Sequence, residues 1–480
     1  MSNISEKNSG PKAKKQGRIE PRILKGFRDE LPDEALQRSE LFDKIRNIFQ
    51  LSGFDPIDTP SLEYSEILLG SGSEETDKQL FRFQDQGGRD IALRFDLTVP
   101  LARFVSQHAN DLTFPFRRHH IAQVWRAEKP QKGRFREFYQ CDFDIIGSES
   151  AASDIEILMT AHRILKSIGA AYTIRFNHRA LLNGILENYC VQNKAVEALR
   201  AIDKLEKQGS DAVKKELVLT SNMTEENASL LVETVNNLQN IESPQKILEI
   251  LANLDINKSE SSEENSFSSG LKRISEIISA FENSGIDPTT YKLDLSIARG
   301  LEYYTGLVFE TKLVDMPEIG SVCSGGRYDN LASMFSSRKL PGVGGSVGID
   351  RLLVALREID TRTISSQTQV LVTMMDQYLL DRYVAISSLL RDAGIRTELY
   401  TDFSKLGAQF KYADKKNIPL VLVMGSKEIE SGSIVIKDLK ISGKNISENK
   451  PVNESQYTCS IDLLIPTIKK LLNGERPDNN

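Results

Sequence analysis

The chain has no close pair of cysteines. Its four, Cys141, Cys190, Cys323 and Cys459, are scattered with no CxxC. That scatter excludes a structural zinc knuckle and fits a reduced cytoplasm. No run approaches the roughly 20 apolar residues of a membrane span, so none is expected. The N-terminus lacks an apolar segment of the secretory kind, and residues 1–22 lack the apolar face of a mitochondrial presequence. Positive charge is in deficit too: the net charge is −6, so contact with nucleic acid must use local basic patches on an acidic body. The usual phosphate motifs are missing. Gly342, Gly344 and Gly348 give GxGxxxG, one residue too long for a dinucleotide fingerprint, and no P-loop Lys-Ser/Thr follows.

What is present is ordinary for a large soluble chain. Hydrophobic residues make up 40% and charged residues 27% of 480, enough for a core without staples and for roughly three domains. Residues 1–22 are polar with six basic and two acidic side chains, and read as a disordered basic tail. From Asp33 to Leu51 apolar residues fall in a helical stripe, ended at Ser52-Gly53-Phe54; a segment with Pro56 and Pro60 then reads as an edge or interface strand. Leu80–Val105 reads as a hairpin turning at Gly87-Gly88 and running into a helix, with Asp96 and Thr98 placed to cap it.

The densest stretch is FRRHHIAQVWRAEKPQKGRFREFYQCDFDIIG, Phe116–Gly147. Two strand-like runs flank a loop with Pro130 and Gly133. Between Arg117 and Arg136 there are seven Lys or Arg and one acid, Glu128. Charge alone leaves a solvated basic hairpin and a polyanion site equally open. The order of residues favours a site. Period two puts Arg126 with Glu128 on one strand face and Phe138 with Gln140 on one face of its partner. Arginine, carboxylate, aromatic and amide together suit a charged, planar ligand.

Beyond it, Ala151–Ile168 reads as a helix and Ala171–Asn177 as a strand. Leu181 to Phe281 reads as all-helical, interrupted at 257–270 by a stretch with six serines and three acids that reads as a flexible loop. Leu293–Val314 returns to strand character and holds Arg299 and the pair Tyr303-Tyr304, which as strand neighbours would face opposite ways. Gly342–Leu356 is a glycine-rich strand entering an apolar helix, with Arg351 near the junction. From Thr368 strands and helices alternate, predicting a parallel or mixed sheet covered on both faces.

These stretches resemble the class II aminoacyl-tRNA synthetases. RAEKPQKGRFREFYQ is similar to their motif 2 in the form found in histidyl-tRNA synthetases, the helix–Gly-Phe–Pro sequence resembles motif 1, and GVGGSVGIDRLLVAL resembles motif 3. RGLEYYTG and SGGRYDNL resemble the two histidine signatures. The resemblance covers about residues 23–474, with five motifs in family order. It implies an α+β catalytic domain, an antiparallel sheet flanked by helices, in two parts, 23–180 (motifs 1 and 2) and 286–360 (histidine signatures and motif 3). It also implies a helical insertion at 181–285, contacting the tRNA acceptor arm or serving only as packing, and an anticodon-binding α/β domain at 368–474. Gly407 and Ala408 stand where the family often carries basic residues.

The activity implied is ATP-dependent attachment of histidine to the 3′ end of tRNA(His) through histidyl-adenylate, in a cytoplasmic homodimer. The alternative is a non-catalytic paralogue that senses histidine and regulates. By resemblance Arg126 and Arg299 are catalytic, holding the α-phosphate and carboxylate from two sides. Asp96, Thr98 and Gln140 take histidine's α-amino group, and Asp144 with Tyr304 its imidazole, beside Tyr303. Glu128, Arg134, Phe138 and Arg351 join Arg126 around ATP, with Phe138 and Arg351 sandwiching adenine. Mg²⁺ is expected on the phosphates, with ligands that sequence does not identify.

Overall fold

The computed structural model describes residues 19–70, 77–131, 133–189, 194–254, 266–298, 304–359, 366–439 and 455–477. Most of the expected tail, and Arg299, Tyr303 and Cys190, lie outside the described residues. The chain forms two compact units, Met1–Glu30 with Arg38–Asp360 and Leu31–Gln37 with Thr361–Asn480.

In the first unit the strands run in chain order β1 (Asp55–Pro56), β2 (Leu62–Tyr64), β3 (Phe81–Gln84), β4 (Asp90–Leu93), β5 (Phe116–Trp125), β6 (Glu137–Ile146), β7 (Tyr172–His178), β8 (Tyr291–Leu293), β9 (Leu307–Leu313), β10 (Cys323–Arg327) and β11 (Gly342–Gly348). Three form a small sheet, β2-β4-β3. The other eight form one sheet in the order β1-β5-β6-β11-β10-β9-β7-β8. Its pairs are antiparallel except β1 with β5 and β7 with β8. The proline-bearing β1 stands at the sheet's edge, where a missing N–H costs no ladder bond.

Alternation along the strands divides this sheet into an oily face and a polar one. Cys141, Phe143 and Ile145 of β6, Val343 and Val347 of β11, Phe309 of β9 and Phe176 of β7 belong to a single hydrophobic core. Helix α1 (Pro32–Leu51) contributes Leu41, Ile45, Ile48 and Phe49 to it. Helix α2 (Thr98–Gln107) lies elsewhere, on Phe116 and Ile146. Helix α3 (Ala151–Ile168) adds Ile157, Leu158, Ala161, Ile164 and Leu165; it is capped by the Ser150 hydroxyl, which accepts from the Ala152 N–H, and closed by Gly169 at φ 83°. Helix α4 (Ile349–Ile359) follows β11.

Between β7 and β8 the described chain is helical, with helices such as Ser210–Ser221, Glu225–Gln239 and Ser266–Asn283 sharing the same core. The last of these corrects the loop expected over 257–270 at its final five residues, while 257–265 lie outside the described residues. Its helix begins at Ser266, because Phe267, Gly270, Ile274, Ile277, Ile278 and Phe281 form a buried stripe that outweighs the serine-rich start. The strand expected over 293–314 is corrected as well. β8 ends at Leu293, Asp294 turns the chain by accepting from the Ser296 N–H and hydroxyl, and β9 resumes only at Leu307, so Tyr304 is outside any strand.

The second unit carries β12 (Val370–Val372), β13 (Thr397–Leu399), β14 (Leu420–Val423), β15 (Ser433–Asp438) and β16 (Gln456–Ser460) in the order β13-β12-β14-β15-β16. The first three are parallel and the last two antiparallel, a mixed sheet as expected. Helices Leu380–Asp392 and Leu464–Leu472 pack on one side, through Tyr383, Ile386, Leu390, Leu464 and Ile468. Helix Leu406–Lys415 packs on the other, through Ala413 against Leu371 and Val421. Exposed Gly407 and Ala408 open that helix.

A buried ion pair fastens the helical segment to the main sheet. Asp154 of α3 is fully buried, 2.7 Å from Arg327 of β10, and it also pairs with Arg273 of helix Ser266–Asn283. Removing one partner leaves a buried charge uncompensated. We expect Asp154→Ala to cost about 3–5 kcal/mol, the usual scale for breaking such a pair. A drop in the urea midpoint of the first unit would register it, and an unchanged midpoint would contradict it.

Candidate active site

The polar face of the large sheet is where the motif residues gather. Along β6 it presents Phe138, Gln140, Asp142 and Asp144. Across from them in register stand Val124, Ala122, His120 and Arg118 of β5, and Gly348, Ser346 and Gly344 of β11. Serine and glycine leave this face low, so a cavity of about 240 Å³ opens above it. Arg126, Glu128, Arg134, Phe138, Gln140 and Arg351 all line that cavity.

Arg126 and Glu128 reach it differently from expectation. β5 stops at Trp125, so neither is a strand residue. The chain stays in register slightly longer through the Arg126 N–H, which donates to the Arg136 carbonyl at 2.8 Å. Arg126 Nε donates to the Phe95 carbonyl at 3.0 Å, and its guanidinium lies 5.2 Å from the Phe138 ring centroid. The basic loop closes on itself through two bonds between Gln131 and Arg134, with Gly133 at φ 69° making the turn. Beside that loop, at the start of α4, Arg351 Nη1 donates to the Ser321 carbonyl at 2.9 Å, and a Cβ on Gly133 would lie 3.5 Å from Arg351 Cγ. The cavity is therefore walled by three arginines around an aromatic ring.

Among the described residues, four named from sequence stand outside this lining. Asp96 Oδ1 accepts from the Val99 N–H at 3.2 Å at the start of α2, and its carboxyl feels both Arg126 and Arg118; burial raises its pKa. Thr98 is the first residue of α2. Tyr304 packs beside the Tyr328 cluster. Asp144 is buried further along β6 from Gln140, 2.7 Å from Arg118, and accepts from the Tyr328 hydroxyl. Burial holds the Asp144 carboxyl above its usual range and the Tyr328 phenol well above its own.

Sequence reading missed Arg118, Asp142, Ser346 and Tyr328. Arg118 is 0% exposed and is ringed by carboxyls. Gln140 Nε2 donates to Ser346 Oγ at 2.9 Å. Two nitrogens of Arg118, Asp142 Oδ1 and Gln140 Oε1 are buried without a hydrogen-bond partner. Unpaired buried polar atoms are rare, and a group of them on one face is the mark of a polar ligand's place. Period two along β6 carried the signal for Asp142. For Arg118 the signal was its pairing opposite Asp144.

Residues 26–352 match the family described as histidyl-tRNA synthetase, and residues 369–471 match the anticodon binding domain. The chain belongs to the histidyl-tRNA synthetase family. Its activity is that of a histidine–tRNA ligase. Among curated relatives, the histidine–tRNA ligase of Rhodopirellula baltica is 46% identical over 423 residues, 88% of this chain and 94% of that protein. That of Wolinella succinogenes is 43% identical over 429 residues, 89% of this chain and 96% of that protein. The crystal structure of histidyl-tRNA synthetase from Nostoc sp. PCC 7120 superposes with a TM-score of 0.82 at 31% identity, covering 95% of this chain and 100% of that one.

In this synthetase the described residues include no cluster of three or more His, Cys, Asp or Glu able to cage a metal. Of the acids at the cavity, Asp350 is engaged by Arg28 and by the Tyr139 N–H at 2.9 Å. A Mg²⁺ would have to be held largely by the nucleotide's phosphates, with Glu128 the other acid of the lining.

Gly344 gives the site a direct test. A Cβ built there would sit 1.8 Å from Asp144 Oδ1, so the carboxylate occupies the space a side chain would need. The Phe143 carbonyl would also lie 2.9 Å from that Cβ, so we expect Gly344→Ala to fold with a small shift of β11 against β6 and to pull the Asp144 carboxylate off Arg118 and Tyr328. Losing such contacts costs about 1–3 kcal/mol, or roughly 5- to 150-fold. Histidine-dependent exchange of pyrophosphate into ATP should fall by that factor while the circular dichroism spectrum stays that of the parent. Unchanged exchange would separate Asp144 from the chemistry.

Proposed function

We propose that the cavity over β6 and β11 forms histidyl-adenylate from histidine and ATP. Histidine's carboxylate oxygen attacks the α-phosphorus, the bond to the bridging oxygen breaks, and pyrophosphate leaves. The terminal ribose 3′ hydroxyl of tRNA(His) then attacks the acyl carbon and AMP leaves. The observation that carries this reading is the convergence of six residues, named from sequence, on one cavity.

Such a displacement needs alignment and cationic stabilisation more than covalent help. Arginine remains charged and bridges two oxygens at once. Arg126 lies between the Phe95 carbonyl and the Phe138 ring, at the join between cavity and buried carboxyls, and holds the α-phosphate together with the amino acid's carboxylate. Arg134 from the loop and Arg351 from α4, both in the lining, take the β- and γ-phosphates. Phe138, backed by Val124, Ala122 and Leu97, gives adenine a rigid surface. Asp96, Thr98 and Gln140 receive the α-ammonium, and Asp144 and Tyr304 the imidazole. Arg299 and Tyr303 join them by resemblance alone. Mg²⁺ travels with ATP. The thiols of Cys141, Cys323 and Cys459 are free, which supports work in the cytoplasm.

We also propose a homodimer. The small sheet turns one apolar face outward, with Leu62 44%, Tyr64 46% and Phe83 46% exposed and Ile91 and Leu93 between them in register. A second copy of the chain would cover it.

Two experiments check these readings. Arg126→Ala should retain the fold and lose histidine-dependent pyrophosphate exchange by about 100-fold, the scale for one transition-state donor; near-parental exchange would remove Arg126 from the chemistry. Leu62→Asp combined with Phe83→Asp should shift the sedimenting species from dimer to monomer, and a dimer that persists would place the interface elsewhere.

A further inference from the structure

Asp142 carries no role in the mechanism above, and its setting asks for one. It is 2% exposed on the polar face of β6, between Gln140 and Asp144. In register it faces His120 of β5 on one side and Ser346 of β11 on the other. Its nearest cation is loose, Arg118 Nη2 at 3.9 Å, and its Oδ1 has no hydrogen-bond partner. A carboxylate so placed is expensive unless something cationic joins it.

Two acceptors stand next to each other on this face of β6. Asp142 Oδ1 and Gln140 Oε1 are buried and partnerless, and Gln140 and Asp142 are tied together through the Ser346 hydroxyl, which accepts from Gln140 and donates to Asp142. The Asp96 carboxyl is near enough for its charge to bear on Asp142. Buried acceptors without a donor are what an ammonium, with three N–H donors and no acceptor, satisfies.

We propose that Asp142 is a binding residue for the α-ammonium of histidine, and that it gives up a proton to solvent when histidine binds. This rests on the reading of the cavity as a histidine-activating site. Burial, with Asp144 and Asp96 adding repulsion against the opposing pull of Arg118, pushes the Asp142 carboxyl up to about 7 in the free protein. The other charged or titratable groups that feel it are Arg94 and the thiols of Cys141 and Cys323, with His120 across the strand held neutral near pH 7 by burial. A carboxyl that is part-protonated at neutral pH must ionise to meet a cation, so histidine binding and proton release are linked. The sign follows: affinity for histidine rises as pH rises through about 7 and levels off above it.

The test uses the full chain. Histidine is titrated into it by calorimetry at pH 7 in two buffers of different ionisation enthalpy, which counts protons released. Asp142→Asn mimics the protonated carboxyl and is expected to fold. It should lose most of the release, raise the histidine KM in pyrophosphate exchange about tenfold at pH 8, on the scale of one such contact, and leave the ATP KM unchanged. Asp142→Glu, which still titrates, should keep the release. The free amino acid's own ionisation is common to all three proteins and cancels in the comparison. Equal proton release and equal histidine KM in the parent and Asp142→Asn would overturn the proposal, as would parallel losses for histidine and ATP. Absence of any histidine-dependent exchange in the parent protein would instead overturn the reading on which it rests.

Discussion

The pairing of β5, β6 and β11 is the constraint on which the first unit depends. Ten residues of β5 match ten of β6 from Phe116 opposite Ile146 to Trp125 opposite Glu137, and β11 continues the register on β6's other side. A slip of one residue would invert every side chain. Arg118, Asp142 and Asp144 would enter the core now filled by Ile157, Leu158 and Ile164, while Phe143 and Ile145 would stand in the cavity. The cost of burying a charge in oil and exposing a phenylalanine holds the register, and so sets the site's geometry. Packing below the sheet and chemistry above it are consequences of one alternation.

The glycines of β10 and β11 serve the same end. A Cβ on Gly325 would come within 2.0 Å of the Gly344 carbonyl, so the two strands approach only because neither has a side chain there. The space above Gly344 goes to the Asp144 carboxylate, and the low floor at Ser324, Ser346 and Gly348 goes to the cavity. A strand that looks too poor in side chains to stabilise a sheet is held by its neighbours on both edges, and what it lacks in packing becomes room for a ligand.

Much of this was legible because its signals are local. The basic loop between two strands, the proline-marked edge strand and the switch to alternating strands and helices after Thr368 each sit within a dozen residues. Arg118 and Asp142 were not legible in that way. QCDFDII reads as any half-buried strand, and the meaning of its two aspartates comes from an arginine some 25 positions earlier that only strand pairing brings opposite. Ser266–Gly270 misled for the opposite reason: composition spoke for a loop, and a stripe extending on to Phe281 decided for helix. The break after Leu293 was hidden because Asp294 and Ser296, turn-forming residues, sit inside a run of β-prone neighbours.

The free protein therefore carries a fault at its centre. Arg118 Nε and Nη1, Asp142 Oδ1 and Gln140 Oε1 are buried and without a hydrogen-bond partner in the protein. Each such atom costs about 1–3 kcal/mol relative to a satisfied one. A continuous core from α1 through α3 to the helices after β7 is what permits that cost within one folded state. The same atoms give a ligand its advantage: a molecule with a matching set of donors and acceptors recovers free energy that folding left unrecovered, and one lacking a single partner leaves a buried group still unpaired. Selectivity of this kind needs no moving part. It follows from placing charged residues on the only face of the sheet that the core does not fill.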